Sequence, residues 1–406
     1  MISRRLYVRI WERLAKEKSM VFLAGPRQVG KTTLARFISR TFRNRFYFNY
    51  DIPEHRKWLI ENPSFFEAME RKDPGTPLII FDEIHKYRDW KNYLKGVYDA
   101  FHDSYRFLVS GSGRLDIYRK GGDSLAGRYF LFHLWPFTVA ELGGKNKSFR
   151  EFIKNPLYIT MEESSKLKKI WERLALLSGF PEPYASGKET TYNRWSNTYS
   201  QQLIREDIRD MTDIKSIGDL ETLYLLLPSK IGSPLSVTSL AEDMKAAYNT
   251  VQNWLSVFER FFMLFAISPW AKKITRAIHK EKKVYLFDTP RIKDPAARFE
   301  NMVAIELLRA VTLWNDVGYG RFSLHYIKNK EKQEVDFLIV REEEPFMLAE
   351  AKLAEKEPSL GLKKFQQMLN IPAVQLTNEG ATFKVFSNGP NKILIAPAYQ
   401  WLSFLP

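Results

Sequence analysis

An α/β fold divided into several domains is what this sequence predicts, and three observations predict it. A short apolar run, Val21-Phe22-Leu23-Ala24, leads into Gly25-Pro26-Arg27-Gln28-Val29-Gly30-Lys31-Thr32-Thr33, and a segment of helix-forming composition runs on from Leu34 to Arg40. A second apolar run, Pro77 to Phe81, ends in two acids, Asp82 and Glu83. Between Phe322 and Lys352 three strand-like segments are separated by polar turns. Apolar runs joined by helical segments read as buried strands of a parallel sheet, and strand-turn-strand patterns read as a meander.

The N-terminal stretch Met1–Trp11 reads as an amphipathic helix and not as a signal peptide, because it has no uninterrupted apolar stretch. Residues 25–33 then form a complete G-x-x-x-x-G-K-T loop in the strand–loop–helix context that the motif requires. Glycine leaves no Cβ in the way, so such a loop turns its backbone N–H groups toward a triphosphate. Lys31 supplies a point charge for the β- and γ-phosphates, and the Thr32 hydroxyl is a Mg²⁺ ligand. At the end of the second strand Asp82 would hold the Mg²⁺ shell, and Glu83 is placed to orient or deprotonate water. A third strand, Arg106–Ser110, is followed by Gly111-Ser112-Gly113, and Ser110 would sense the γ-phosphate or position water. Downstream, Ser124-Leu125-Ala126-Gly127-Arg128 offers a cation. Arg128 would stabilise charge on the transferring phosphoryl group, in its own subunit or in a neighbour.

This part, residues 1–140, is expected to be a doubly wound P-loop ATPase domain, closed by Trp135-Pro136-Phe137. Residues 141–225 read as a helical lid or connector, beginning with the polar stretch Gly143–Ser148 and interrupted by Gly179-Phe180-Pro181-Glu182-Pro183. Residues 226–292 suggest a winged helix. A helix around Ser239–Met244, a turn at Lys245–Asn249 and a helix Thr250–Phe262 precede two strands, Phe265–Ile267 and Lys283–Asp288. The wing would carry Lys272, Lys273, Arg276, Lys280, Lys282 and Lys283 as DNA-phosphate contacts, with Thr250, Gln252 and Asn253 facing base edges.

Residues 293–406 hold the meander. Glu350 and Lys352 share a strand face, and Asp336 lies on the neighbouring strand. Carboxylates that bind Mg²⁺ beside a lysine that activates water form a phosphodiesterase site, and Glu300, in the preceding helix, would add a ligand. The pattern is D-x(n)-E-x-K, so a PD-(D/E)XK nuclease-like α/β domain is expected, with cleavage of nucleic acid a separate question.

Bulk composition narrows the classes. The 406 residues suggest two or three domains, and 45% hydrophobic content with 29 Phe, 19 Tyr and 10 Trp supplies aromatic-rich cores. The lack of cysteine excludes disulfides, thiol nucleophiles and Cys-based zinc sites, and fits a reducing compartment. The longest apolar stretch, Phe261–Ile267, is far too short to span a bilayer, so a soluble, cytoplasmic protein is expected. A net charge of +15 favours polyanions by long-range attraction.

Taken in order, residues 25–33, Phe81-Asp82-Glu83-Ile84, Ser110-Gly111-Ser112, Ser124–Arg128, Gly179–Glu182, Phe299-Glu300-Asn301, Glu334–Phe337 and Glu350–Lys352 carry a resemblance. The chain resembles prokaryotic AAA-type P-loop ATPases that bear a C-terminal domain of unknown function with a restriction-endonuclease-like core. The resemblance implies ATP binding through Gly25–Thr33, metal binding at Asp82, catalysis at Glu83, a polar sensor at Ser110 and an arginine finger at Arg128. Gly113-Arg114 departs from the small polar residues expected after the sensor. The expected activity is therefore Mg²⁺-dependent ATP hydrolysis coupled to a nucleic-acid-directed module. An ATP-gated Mg²⁺-dependent nuclease and a nucleotide switch for a protein partner stand as alternatives, with a homo-oligomer or a protein partner open.

Overall fold

The structure is a computed structural model that describes residues 2, 4–111, 125–144, 147–160, 165–209, 212, 214, 216–271, 281–380, 382–388 and 390–406. Within them the chain forms two compact units, Met1–Trp135 and Pro136–Pro406.

The first unit begins with α1 (Arg5–Glu17), whose buried residues Tyr7, Ile10, Trp11, Leu14 and Ala15 recur at the spacing of one helical face. A parallel sheet follows in the order β2-β3-β4-β1-β5, built from β1 (Met20–Ala24), β2 (Arg45–Asn49), β3 (Leu78–Asp82), β4 (Arg106–Ser110) and β5 (Phe130–His133). The strands β1 and β3 are buried along their whole length, which explains their unbroken apolar sequences. The described residues of the unit also form the helices α2 (Lys31–Ser39), α3 (Pro53–Glu61) and α4 (Trp90–Phe101). Its core is aromatic, with Phe81 stacked on Phe107 and Phe22 stacked on Tyr129.

The second unit opens with helices α5 (Val139–Gly143), α6 (Phe149–Lys154), α7 (Ser165–Leu177), α8 (Pro181–Ser186), α9 (Glu189–Gln202) and α10 (Ile217–Leu226). The segment expected to interrupt the helices is itself helical from Pro181 on. Proline at the first helical position costs nothing there, and the break falls on Ser178 and Gly179. The helix pair of the expected winged helix is present as α11 (Val237–Asp243) and α12 (Tyr248–Arg260). On α12 Thr250, Gln252 and Asn253 are exposed, while Val251, Trp254, Val257 and Phe258 are buried.

The hairpin that follows, β6 (Leu264–Pro269) and β7 (Lys283–Leu286), does not close a sheet of its own. It forms one edge of an eight-stranded sheet in the order β12-β13-β11-β10-β9-β8-β6-β7, because Ser268 and Pro269 pair in parallel with His325 and Tyr326 of β8. The remaining elements are α13 (Pro295–Asp316), β8 (Phe322–Lys328), β9 (Glu334–Arg341), β10 (Glu344–Lys352), α14 (Leu360–Leu369), β11 (Ala373–Thr377), β12 (Lys384–Asn388), β13 (Asn391–Pro397) and α15 (Ala398–Leu402). The antiparallel run β8-β9-β10 is the expected meander. Beside it, α14 packs Leu362 and Phe365 against Leu338, Leu348, Ala373 and Ile393.

Candidate nucleotide site

The glycine loop joins the end of β1 to the start of α2. Gly25 has φ +148°, and a Cβ there would lie 2.2 Å from the carbonyl oxygen of Leu134, so the loop leaves the sheet through a gap that only glycine fits. Gly30, at φ +97°, caps α2 in a left-handed conformation, which turns the free amides of the helix's first turn toward the loop. Lys31 is buried, and its Nζ donates to the carbonyl oxygens of Gly25 (2.9 Å) and Pro26 (2.7 Å). Arg27 is half-buried, whereas Gln28 and Thr33 are exposed.

Register brings the acidic strand to this loop. Asn49, Asp82 and Ser110 stand level at the carboxyl ends of β2, β3 and β4. Asp82 collects three hydroxyl donors. Thr32 Oγ1 and the Tyr47 phenol each donate to Oδ2 at 2.7 Å, and Ser110 Oγ donates to Oδ1. Burial, reinforced by the hydrogen bond to Asp82, pushes the Tyr47 phenol up to about 12. A hydroxyl and a carboxylate in contact at the loop's mouth are hard oxygen donors, and this pair fits Mg²⁺.

Glu83 follows with φ +56°, an uncommon conformation for a residue with a Cβ. Its amide donates to the Ser110 carbonyl at 3.0 Å, and its carboxylate lies 3.5 Å from Lys86 Nζ and 3.7 Å from His85 Nε2. Burial raises its carboxyl above the ordinary range, against the pull of Lys31 and Lys86. A partly desolvated carboxylate beside the loop has the environment of a general base.

Two residues of this site carry no motif. Tyr47 is one. Arg4 is the other: it is buried, donates from Nη1 to the Val29 carbonyl (3.1 Å) and from Nη2 to the Trp135 carbonyl (2.7 Å), and lies 4.7 Å over the Tyr7 ring. Its guanidinium braces the outer turn of the loop against the chain after β5.

For Arg128 the expectation named its own subunit or a neighbour, and the strand register bears on the first. Phe130 pairs with Val21, so Arg128 precedes β5 at the edge of the sheet opposite the glycine loop. At about 3.3 Å per residue the separation is roughly 16 Å, beyond the reach of an arginine. Its guanidinium is held by Asp99 of α4 at 2.7 and 3.1 Å. A finger role within its own subunit is therefore excluded. Ser112, Gly113, Arg114 and Ser124 lie outside the described residues.

The second unit gathers the other predicted residues. Asp336 Oδ2 accepts from the Ala351 amide (3.0 Å), Glu350 lies 3.4 Å from Lys352 Nζ, and Ser359 Oγ donates to Glu350 Oε2 at 2.6 Å. Glu300 joins them from α13, and its neighbour Asn301 clamps the edge strand through the backbone of Leu286 at 2.7 and 2.8 Å. Burial raises Glu300 and Glu350 to about 7 each, with Asp336 adding to both.

Lys283 corrects the expected DNA-contact set. It is fully buried on β7, with Nζ 2.7 Å from Glu334, 3.0 Å from Glu300 and 3.2 Å from Asp336. Lys282 is exposed, and Lys272, Lys273, Arg276 and Lys280 lie outside the described residues.

A parallel sheet whose glycine loop, lysine and adjacent Asp-Glu pair meet at one edge defines a P-loop nucleotide-binding unit. Residues 17–143 match the family model described as an AAA domain. Residues 168–290 match a domain of unknown function, DUF8612. Uncharacterized proteins of Mycobacterium bovis and Mycobacterium tuberculosis are each 24% identical over 295 residues, covering 71% of this chain and 58% of their own length. An uncharacterized protein of Methanocaldococcus jannaschii is 24% identical over 302 residues, covering 68% of this chain and 62% of its own length. The chain thus spans under two thirds of the curated relatives it matches. Among solved structures, the Walker-type ATPase of Pyrococcus abyssi gives a TM-score of 0.45 at 16% identity, over 72% of this chain and 95% of that one. The Aeropyrum pernix Orc1 protein in complex with DNA gives 0.33 at 13% identity, over 74% and 91%. Scores below 0.5 establish neither a common fold nor a common activity. Among the described residues no helix is long and apolar enough to cross a membrane.

Proposed function

We propose that the protein binds ATP at residues 25–33 and hydrolyses it, and that the cycle governs a nucleic-acid-directed second unit. The observation that carries this reading is the convergence of Thr32, Tyr47 and Ser110 on Asp82, beside the loop that holds Lys31. Lys31 would exchange the carbonyls of Gly25 and Pro26 for the β- and γ-phosphate oxygens, and the first amides of α2 would cradle the phosphates. Thr32 and Asp82 would hold Mg²⁺, which neutralises phosphate charge when bound. Ser110 orients polar groups at the γ-phosphate, and Glu83 takes the proton of the attacking water.

Support for nucleic acid as the second unit's target comes from the net charge of +15, the exposed polar face of α12 and the lysine-rich sequence ahead of β7. Since Arg128 cannot reach its own loop, a finger role for it would require a neighbouring copy in a homo-oligomer. The decisive experiment is ATP binding and turnover by Lys31→Ala, with and without DNA. Loss of both activities and stimulation of the wild type by DNA are expected, and unchanged turnover in the variant would refute the site. A DNA affinity that does not fall with rising salt would remove the phosphate contacts and favour a protein partner instead.

A further inference from the structure

We propose that Lys283 is a built-in cation that occupies the place of a divalent ion in the carboxylate cluster of the second unit, so that this cluster does not recruit Mg²⁺. The cluster has the donor set that a phosphodiesterase would use, with Glu300 on α13, Asp336 on β9 and Glu350 and Lys352 on β10. Between Glu300 and Asp336, two of those expected ligands, lies an ammonium. An ammonium has three N–H donors. Lys283 directs its own at Glu300 Oε1, Glu334 Oε1 and Asp336 Oδ1, at 2.7–3.2 Å. Mg²⁺ demands oxygens at about 2.0–2.1 Å in octahedral order and keeps several waters.

The other carboxylate oxygens are committed too. Lys328 lies 2.9 Å from Glu334 Oε2 and Ala351 N holds Asp336 Oδ2, while Tyr285 donates to the same Glu300 Oε1 that Lys283 meets, at 2.8 Å. Glu350 is divided between Ser359 and Lys352. Among the described residues no group of three or more His, Cys, Asp or Glu side chains has the arrangement of a metal site. Charge agrees with geometry. The ammonium faces three carboxylates within 3.2 Å. Three partly buried carboxylates held together need a positive partner, and here the chain supplies one covalently. What the lysine accomplishes is mechanical: it fastens the edge strand β7 to α13 and β9. The expected nuclease reading thus does not fit these residues, and the inference stands apart from the nucleotide site.

The test is Mn²⁺ uptake by the nucleotide-free 406-residue chain, read from the electron paramagnetic resonance signal of free Mn²⁺. The Thr32–Asp82 pair contributes equally to every variant and cancels. The wild type should show no Mn²⁺ uptake that Asp336→Asn removes. Lys283→Ala should gain about one Mn²⁺ per chain, about tenfold tighter than any wild-type binding, and Asp336→Asn should abolish the gain. Wild-type uptake that Asp336→Asn removes overturns the proposal, and so does a folded Lys283→Ala that gains no metal. If Lys283→Ala does not fold, the wild-type and Asp336→Asn arms decide alone. Mn²⁺-dependent plasmid cleavage by the wild type, lost in Asp336→Asn, would overturn it independently.

Discussion

Replacing Arg4 by Ala removes two hydrogen bonds from a buried guanidinium, one to the Val29 carbonyl and one to the Trp135 carbonyl. Hydrogen bonds to a charged group contribute about 1.5–3 kcal/mol each, so the pair is worth about 3 kcal/mol at the low end. For a unit of this size that corresponds to a fall in Tm of roughly 10 °C. Of these two, the Val29 bond is the one made to the loop itself. Its loss, about 1.5 kcal/mol, lets the loop leave its ordered state and lowers nucleotide affinity about tenfold. Thermal melting and titration with a fluorescent ATP analogue read the two effects separately. Arg4→Lys keeps the charge without the fork, so it should fall between the variant and the wild type. Unchanged melting and unchanged affinity in Arg4→Ala would show that the brace is incidental and that the loop is ordered by its own backbone.

Three further outcomes are expected. Gly25→Ala forces a Cβ to 2.2 Å from a backbone oxygen at a φ that side chains avoid, and should cost on the order of 3 kcal/mol with loss of ATP binding in the same titration. Glu83→Gln should keep nucleotide binding and lower kcat by about 10²–10⁴, so a steady-state rate near wild type excludes the base role. Glu306, on α13, is fully buried, accepts from the Val139 amide at 2.5 Å, and is pushed up to about 7 by burial against the pull of Arg309, with Glu141 adding to the rise. Because the folded value exceeds the ordinary 4.5, the stability from its proton is full below about pH 4.5 and is lost as pH rises through about 7. The gap corresponds to roughly 3 kcal/mol. Glu306→Gln should therefore melt higher than the wild type at pH 8 and not at pH 5, and an equal shift at both values would exclude the titration.

Much of the first unit was legible in the sequence. The glycine loop, Asp82, Glu83 and Ser110 all end apolar runs, and parallel strands bring such ends to one edge. Tyr47 and Arg4 were not legible, because their contacts cross 35 and 25 residues, and a tyrosine or an arginine in an amphipathic segment reads as ordinary surface. Which of its two expected settings Arg128 could serve was not legible, because the sequence does not tell that β5 runs parallel to β1 and so puts the turn before it at the far end of the sheet from the glycine loop. Lys283 was misjudged for a related reason. A lysine after Lys280 and Lys282 looks solvated, and its burial rests on acids 17 to 53 positions further along. The meander was read from alternation. The capture of β6 by β8 was not, since two paired residues leave no pattern.

The seam where Gly25 meets Leu134 and Arg4 grips Trp135 lies at the chain's way out of the first unit. The peptide leading to Pro136 is thus moored to the glycine loop by a close backbone approach at Gly25 and by one side chain, Arg4. A displacement of that loop would therefore strain or slacken the segment Leu134–Trp135 itself.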